Sequence, residues 1–278
     1  MMARFLVWSD LHDEFWQSLP ETTAHAEIDA VLLAGDISTR GRHVDCALLI
    51  WDRYRVPVLM VRGNHEFYHS EISEMTATDR RRVAEMNAAG ADIRILDGEA
   101  TEVAGVRVIG ATLWTDLDLH PGEHNRVRDV VERGLNDFRM IRSNPVRQFA
   151  AADWLEMHWR DRDAVLGILD TPYAGETLVM THHVPVREMI HPARQIGPLE
   201  RQLFSAGFAS DLWWEIRNRN VHTWVSGHSH DNADKVLEGK YGQVRFIANA
   251  RGYPKEGVEF DPDLVIEVSP RPEPSMDI

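Results

Sequence analysis

The sequence is poor in cysteine, in lysine and in long apolar runs. Cys46 is its one cysteine, so no internal disulfide can form and the reducing cytoplasm is the expected compartment. Without a second thiol or an evident base beside it, Cys46 reads as core packing. No apolar stretch approaches the roughly 20 residues of a membrane helix, so no membrane partner is expected. The first residues lack the basic region, the apolar segment and the small-residue cleavage site of a secretory signal, and none is expected. Lysine occurs only at positions 235, 240 and 255. Positive charge is in deficit overall: 30 Lys+Arg against 44 Asp+Glu give a formal charge of −14. Proteins that grip long nucleic acid displace counterions with a basic patch. Here only Arg80, Arg81 and Arg82 cluster, on a segment that reads as a solvated helix face. Long DNA or RNA is therefore not an expected partner. Nothing in the sequence speaks to oligomeric state.

What is present is an ordinary globular composition, 44% hydrophobic and 27% charged over 278 residues. Residues 1–268 are expected to form one domain, and the proline-bearing stretch 269–278 a disordered tail. Short apolar runs of strand length occupy 4–8, 30–34 and 57–61, each followed by polar residues. Helices are expected over 42–53, 71–89 and 145–169, the last with Phe149, Ala152, Leu155 and Trp159 on one face. Further strands are expected at 93–96, 102–103, 106–109, 177–180, 223–225, 235–237 and 244–248, with Ala104-Gly105 as a turn. Early strand–helix alternation implies parallel pairing and the later hairpins antiparallel pairing. A mixed α/β sandwich of two sheets with flanking helices reconciles both.

The informative residues stand where the apolar runs stop. The run 4–8 ends at Ser9-Asp10-Leu11-His12, 30–34 at Gly35-Asp36, and 57–61 at Arg62-Gly63-Asn64-His65-Glu66. The run 177–180 ends at Thr181-His182-His183, and 223–225 at Ser226-Gly227-His228-Ser229-His230. Ligand crevices of open α/β sheets lie beyond the carboxyl ends of the strands, so five strand ends offer Asp, His and Asn to one crevice. Imidazole and carboxylate without thiolate suit zinc, iron or manganese. Asp10, His12, Asp36, Asn64, His182, His228 and His230 exceed the needs of one ion that also binds water. They suffice for two ions sharing a carboxylate, an arrangement able to clamp the oxygens of an in-line displacement at phosphorus. Each short motif alone carries little weight. Asp-Leu-His recurs at Asp118 to His120 without a preceding strand, and that copy reads as chance.

The ordered series Asp-x-His, Gly-Asp, Gly-Asn-His-Glu, Thr-His-His and Gly-His-x-His resembles the calcineurin-like metallophosphoesterase superfamily. The resemblance spans residues 10–230. It implies a four-layer α/β/β/α sandwich holding two metal ions. It also implies that Asp10, His12 and His230 bind one ion, that Asn64, His182 and His228 bind the other, and that Asp36 bridges them. His65 would face the substrate as general acid while metal-bound hydroxide attacks phosphorus. His183 would be no ligand.

The match has departures. Gly35-Asp36-Ile37-Ser38-Thr39-Arg40-Gly41 follows the phosphoprotein phosphatase pattern except that Thr39 replaces the aspartate that partners the catalytic histidine in that branch. The ending Gly-His-Ser-His resembles instead the smaller bacterial phosphodiesterase-like members. The expected activity is thus hydrolysis of small phosphodiesters. A phosphomonoesterase or phosphoprotein phosphatase is the alternative, and a nuclease or a non-catalytic scaffold ranks lower. Arg40, Trp114, Asn249 and Arg251 are candidate substrate contacts, with Tyr253 near them at the same strand ends.

Overall fold

In the computed structural model, which describes residues 2–23 and 27–268, the apolar runs form strands. The expected tail 269–278 lies outside the described residues. Strand β1 (Ala3–Trp8) leads into a single helical turn, α1 (Asp13–Trp16). Then β2 (Ala30–Ala34), α2 (Arg42–Tyr54), β3 (Val58–Val61), α3 (Ile72–Ala88) and β4 (Ile93–Ile95) alternate. The hairpin of β5 (Glu99–Val103) and β6 (Val106–Ala111) turns at Ala104 and Gly105. Both residues have positive φ, which a type I′ turn demands. Helices α4 (His124–Gly134) and α5 (Asp137–Met140), a small hairpin of β7 (Arg142–Asn144) and β8 (Arg147–Gln148), and α6 (Ala151–Leu169) lead to β9 (Glu176–Thr181). Helices α7 (Leu199–Phe204) and α8 (Trp213–Ile216) precede β10 (Thr223–Ser226), β11 (Ala233–Gly239), β12 (Gly242–Ala248) and β13 (Val265–Val268).

One sheet has the order β13-β1-β2-β3-β4 and the other β11-β12-β10-β9-β6-β5. In the first, β1 to β4 run parallel and β13 antiparallel. In the second, β6, β9, β10 and β12 run parallel, with antiparallel partners at both edges. Strand alternation sends Phe5 and Val7 to one face and Leu6 and Trp8 to the other. Phe5, Val7, Leu32 and Leu59 meet Val108, Leu178, Met180 and Val225 between the sheets. Leu6, Trp8, Val31 and Leu33 pack beneath Ala47 and Ile50 of α2. Ile109, Val179, Trp224 and Phe246 share a core with Trp154 and Val165 of α6. These are the four layers of the α/β/β/α sandwich. Strands covered on both faces read as unbroken apolar runs, which is why they were visible in the sequence. Cys46 lies buried in α2, and burial pushes its thiol up to about 12.

Two expectations need correction. The helix expected from residue 145 begins at Ala151, because 142–148 forms the β7–β8 hairpin. Asp153 sets that start: its Oδ2 accepts the Ala150 amide at 3.0 Å and pairs with Arg147 at 2.7 Å. The buried face is consequently Trp154, Met157, His158 and Val165, whereas Ala152 and Trp159 point outward. Helix α4 and strand β13 were not read from the sequence at all. Among the described residues, no helix is long and apolar enough to cross a membrane.

Candidate metal centre

Strands β1, β2, β3, β9 and β10 end on one side of the sandwich, and the residues after them converge. Loops after β1 and β2 lie side by side: the Asp10 amide donates to Gly35 O at 2.9 Å and the His12 amide to Asp36 O at 3.0 Å. Glu66 ties the β2 and β3 loops together. Its fully buried carboxylate accepts the amides of Asp36 (3.0 Å), Ile37 (2.7 Å), Ser38 (3.3 Å) and Gly63 (2.6 Å). Gly63 must be glycine, since a Cβ there would overlap Asp36 Oδ1. Asp10, His12, Asp36, His228 and His230 all have left-handed backbone, with φ between 45° and 64°. Such conformations cost non-glycine residues about 1–3 kcal/mol each and gather at functional sites.

The side chains form adjoining groups. Asp10, His12 and His230 bring ligand-type atoms within 4.8 Å of one another, and so do Asp36, His182 and His228; His12, Glu14 and His65 make a third such group at the rim. His12 Nε2 lies 3.2 Å from His230 Nε2, and His230 Nε2 lies 3.3 Å from Asp10 Oδ1. His182 Nε2 lies 3.2 Å from His228 Nδ1, 3.1 Å from Asn64 Oδ1 and 3.3 Å from Asp36 Oδ1. Asp36 also reaches the first group, with Oδ2 at 4.0 Å from His12 Nε2.

The outward nitrogen of each of these imidazoles is already committed. His12 Nδ1 donates to Glu14 Oε1 (3.2 Å), His182 Nδ1 to Ala34 O (2.9 Å), His228 Nε2 to Gly207 O (3.2 Å) and His230 Nδ1 to Glu256 Oε2 (2.6 Å). Such bonds fix the tautomer, so that the inward nitrogen offers a lone pair, as metal-binding histidines do. The Asn64 amide is oriented in the same way. Its Nδ2 donates to Tyr68 Oη (3.2 Å), which donates to Asp137 Oδ2 (3.1 Å). Asn64 Oδ1 is thereby left facing His182. The site calls for positive charge. Burial disfavours a charged imidazole, yet Asp36 pushes His182 up to about 9 and Asp10 pushes His230 up to about 10. Burial likewise opposes ionisation of Asp36, and His182 leads the groups that hold it well below the usual carboxylate range. A hard and borderline donor set around two buried carboxylates fits a pair of cations.

His65 stands at the rim. Its Nδ1 lies 2.9 Å from Glu14 Oε1 and its Nε2 3.1 Å from Tyr253 Oη and 3.8 Å from Asp36 Oδ2. Asp36, Asn64, His65, Tyr253 and half-buried Arg194 line a cavity of about 250 Å³ over the centre. A second cavity of about 720 Å³ shares His65, Tyr68, Asn136 and Tyr253 with it and is walled by Phe15, Met140 and Pro254.

All seven cluster residues and His65 thus come together. The expected substrate contacts mostly do not. Arg40 is exposed and lines neither cavity. Trp114 is buried against Trp154 and His183. Asn249 spends its amide on the Val7 and Asp261 carbonyls, and Arg251 turns away to stack on Trp16. The last two follow β12 as expected, but their side chains serve the loop packing there. Tyr253 does reach the site. Sequence reasoning gave no role to Glu14, Glu66, Tyr68, Asp137, Arg194 or Glu256. Only Glu66 carried a signal, two residues after Asn64 in a recognised motif.

The sequence pattern of the calcineurin-like phosphoesterases matches residues 3–232, and the chain belongs to that family of metal-dependent phosphoester hydrolases. Among its relatives, an uncharacterized protein of Acanthamoeba polyphaga mimivirus is 23% identical over 217 residues, covering 76% of this chain and 73% of its own. A phosphopantetheinyl hydrolase from Mycobacterium tuberculosis has the same fold: it matches with a TM-score of 0.69 at 19% identity, over 99% of this chain and 98% of that one. A dimetal phosphatase from Danio rerio aligns with a TM-score of 0.47 at 15% identity, over 94% and 89% of the two chains.

Proposed function

We propose that this protein is a dinuclear metal-dependent phosphoesterase that hydrolyses small phosphodiesters. Asp10, His12 and His230 would hold one ion, Asn64, His182 and His228 the other, and Asp36 would serve both. Manganese, iron and zinc suit these donors. The observation that carries the reading is the set of four imidazoles with their outer nitrogens bonded and their inner nitrogens converging on Asp10 and Asp36. Ions held there would supply Lewis-acid charge and an activated water at neutral pH.

The chain's own groups do the rest. His65 presents Nε2 to the cavity and protonates the departing oxygen as general acid. Arg194, tied to Asp231 at 2.7 Å, is the arginine lining the centre's cavity and offers one cation to a phosphate oxygen. The larger cavity beside His65 receives the leaving group, and its Phe15 and Met140 walls favour an apolar one. A diester carries about one negative charge, which two ions and one arginine can hold without a wider basic surface. The same arginine is what favours the second reading, a phosphomonoesterase, whose substrate carries more charge. The formal charge of −14 counts against long nucleic acid.

The test is kcat/KM on matched nitrophenyl mono- and diesters with manganese, iron, zinc and magnesium in turn, alongside a phosphopantetheinyl ester and duplex and single-stranded DNA. Preference for the monoester would replace the leading reading with the second. Efficient, steeply salt-dependent DNA cleavage would overturn both.

A further inference from the structure

An imidazole that must deliver a proton needs a partner to aim it, and Thr39 stands where the phosphatase pattern has its aspartate. We infer that Glu14 is the positioning residue of this centre, one carboxylate oxygen aiming both His65 and His12. The inference rests on the roles proposed above for those two histidines.

Glu14 sits on the single turn α1, which follows directly on left-handed His12. That reversal brings a residue two places after His12 back beneath its ring. Oε1 lies 3.2 Å from His12 Nδ1 and 2.9 Å from His65 Nδ1, across 51 residues of sequence in the second case. Its other oxygen, Oε2, is buried and has no hydrogen-bond partner among the described residues, so the two imidazoles alone define how the carboxylate is used. Both Nδ1 atoms are thereby spent as donors. Both Nε2 atoms are left pointing at the same group: His12 Nε2 is 4.0 Å and His65 Nε2 3.8 Å from Asp36 Oδ2. The two rings meet edge to face with centroids 4.5 Å apart. A half-turn of the His65 ring would break its bond to Glu14 and remove Nε2 from Tyr253 Oη. Glutamate reaches both rings from α1, and a side chain one methylene shorter is expected to fall short of at least one.

The experiment uses the manganese-saturated protein and two diesters, methyl 4-nitrophenyl phosphate with a good leaving group and methyl phenyl phosphate with a poorer one. Glu14→Ala and Glu14→Asp are expected to lower kcat on the phenyl ester roughly 10- to 100-fold, the range for an outer partner of a working histidine. The loss on the nitrophenyl ester should be several-fold smaller. Glu14→Gln keeps an acceptor oxygen at full reach and should retain most of both rates. In a His65→Ala background, Glu14→Ala should add no further leaving-group dependence. Three results would overturn the inference: Gln as damaging as Ala, Asp indistinguishable from the unaltered protein, or equal losses with and without His65. Loss of a bound ion from Glu14→Gln at saturating manganese would also overturn it and make Glu14 a ligand. Failure of the underlying reading looks different, because His65→Ala would then slow both esters equally whatever stands at position 14.

Discussion

The carboxylates and most of the imidazoles of the centre come from different sheets. Asp10, Asp36 and Asn64 follow strands of the first sheet, and His182, His228 and His230 follow strands of the second. Each set is anchored by the other. Asp10 accepts the backbone amide of His228 at 3.0 and 3.1 Å, and His182 donates to Ala34 O at 2.9 Å. His12 and His65 are the exceptions, imidazoles of the first sheet held by Glu14 on that same side. Neither half of the centre is therefore complete before the sheets pack, whereas the Glu14 bonds to His12 and His65 join loops of the first sheet alone. Ions bound as proposed would bridge the sandwich, and the proton donor would not.

Asp36→Asn should have the largest effect, since this carboxylate faces both groups. Both ions and turnover should be lost, where His230→Ala weakens mainly one ion. Metal content after dialysis checks this, and an Asp36→Asn protein that keeps two ions would break the picture of a shared ligand. His65→Ala should retain both ions and lose roughly 10²- to 10⁴-fold in kcat, more for alkyl than for nitrophenyl leaving groups. Loss of metal in that variant would erase the distinction between the two regions.

Chelation should lower the thermal midpoint by several degrees, because ligands that bind only the folded state stabilise it, by about 2.7 kcal/mol at a hundredfold excess over Kd. An unchanged melting curve would mean that the ions do not bridge the sheets. Phe15→Ala should raise KM roughly 2- to 10-fold for aryl esters, the scale of one aromatic contact, and leave methyl leaving groups unaffected. An equal change for both would move the leaving group out of the larger cavity. Cys46 should give the smallest effect. With its thiol pushed up to about 12, it stays protonated at pH 8, and iodoacetamide should label it only after unfolding, as mass spectrometry would show.

How legible the centre was depends on which kind of order carried each residue. Asp10, Asp36, Asn64, His182 and His228 follow doubly covered parallel strands, whose unbroken apolar runs announce their own ends. Glu14, Arg194 and Glu256 sit in a single helical turn and in loops with no period to read, and Glu14 meets His65, Arg194 meets Asp231 and Glu256 meets His230 through contacts distant in sequence. Residues 145–148 were taken for the start of a helix, but they belong to the β7–β8 hairpin, and Asp153 sets the start of α6 after them. Asn249 and Arg251 were harder to place for a related reason. Being near a strand end does not fix where a side chain points, and Asn249 and Arg251 are turned away by backbone carbonyls and by Trp16.

The left-handed backbone at Asp10, His12, Asp36, His228 and His230 narrows which replacements this chain can accept. Aspartate, asparagine and histidine are the non-glycine residues that enter that conformation most readily. They are also oxygen and nitrogen donors for borderline cations. Coordination chemistry and chain geometry therefore select the same short alphabet at these five places. Cysteine or glutamate would satisfy only the first requirement, and glycine only the second. A search for altered metal preference at these positions would thus succeed by exchanging Asp, Asn and His among themselves, while sulfur ligands would need the loops themselves rebuilt.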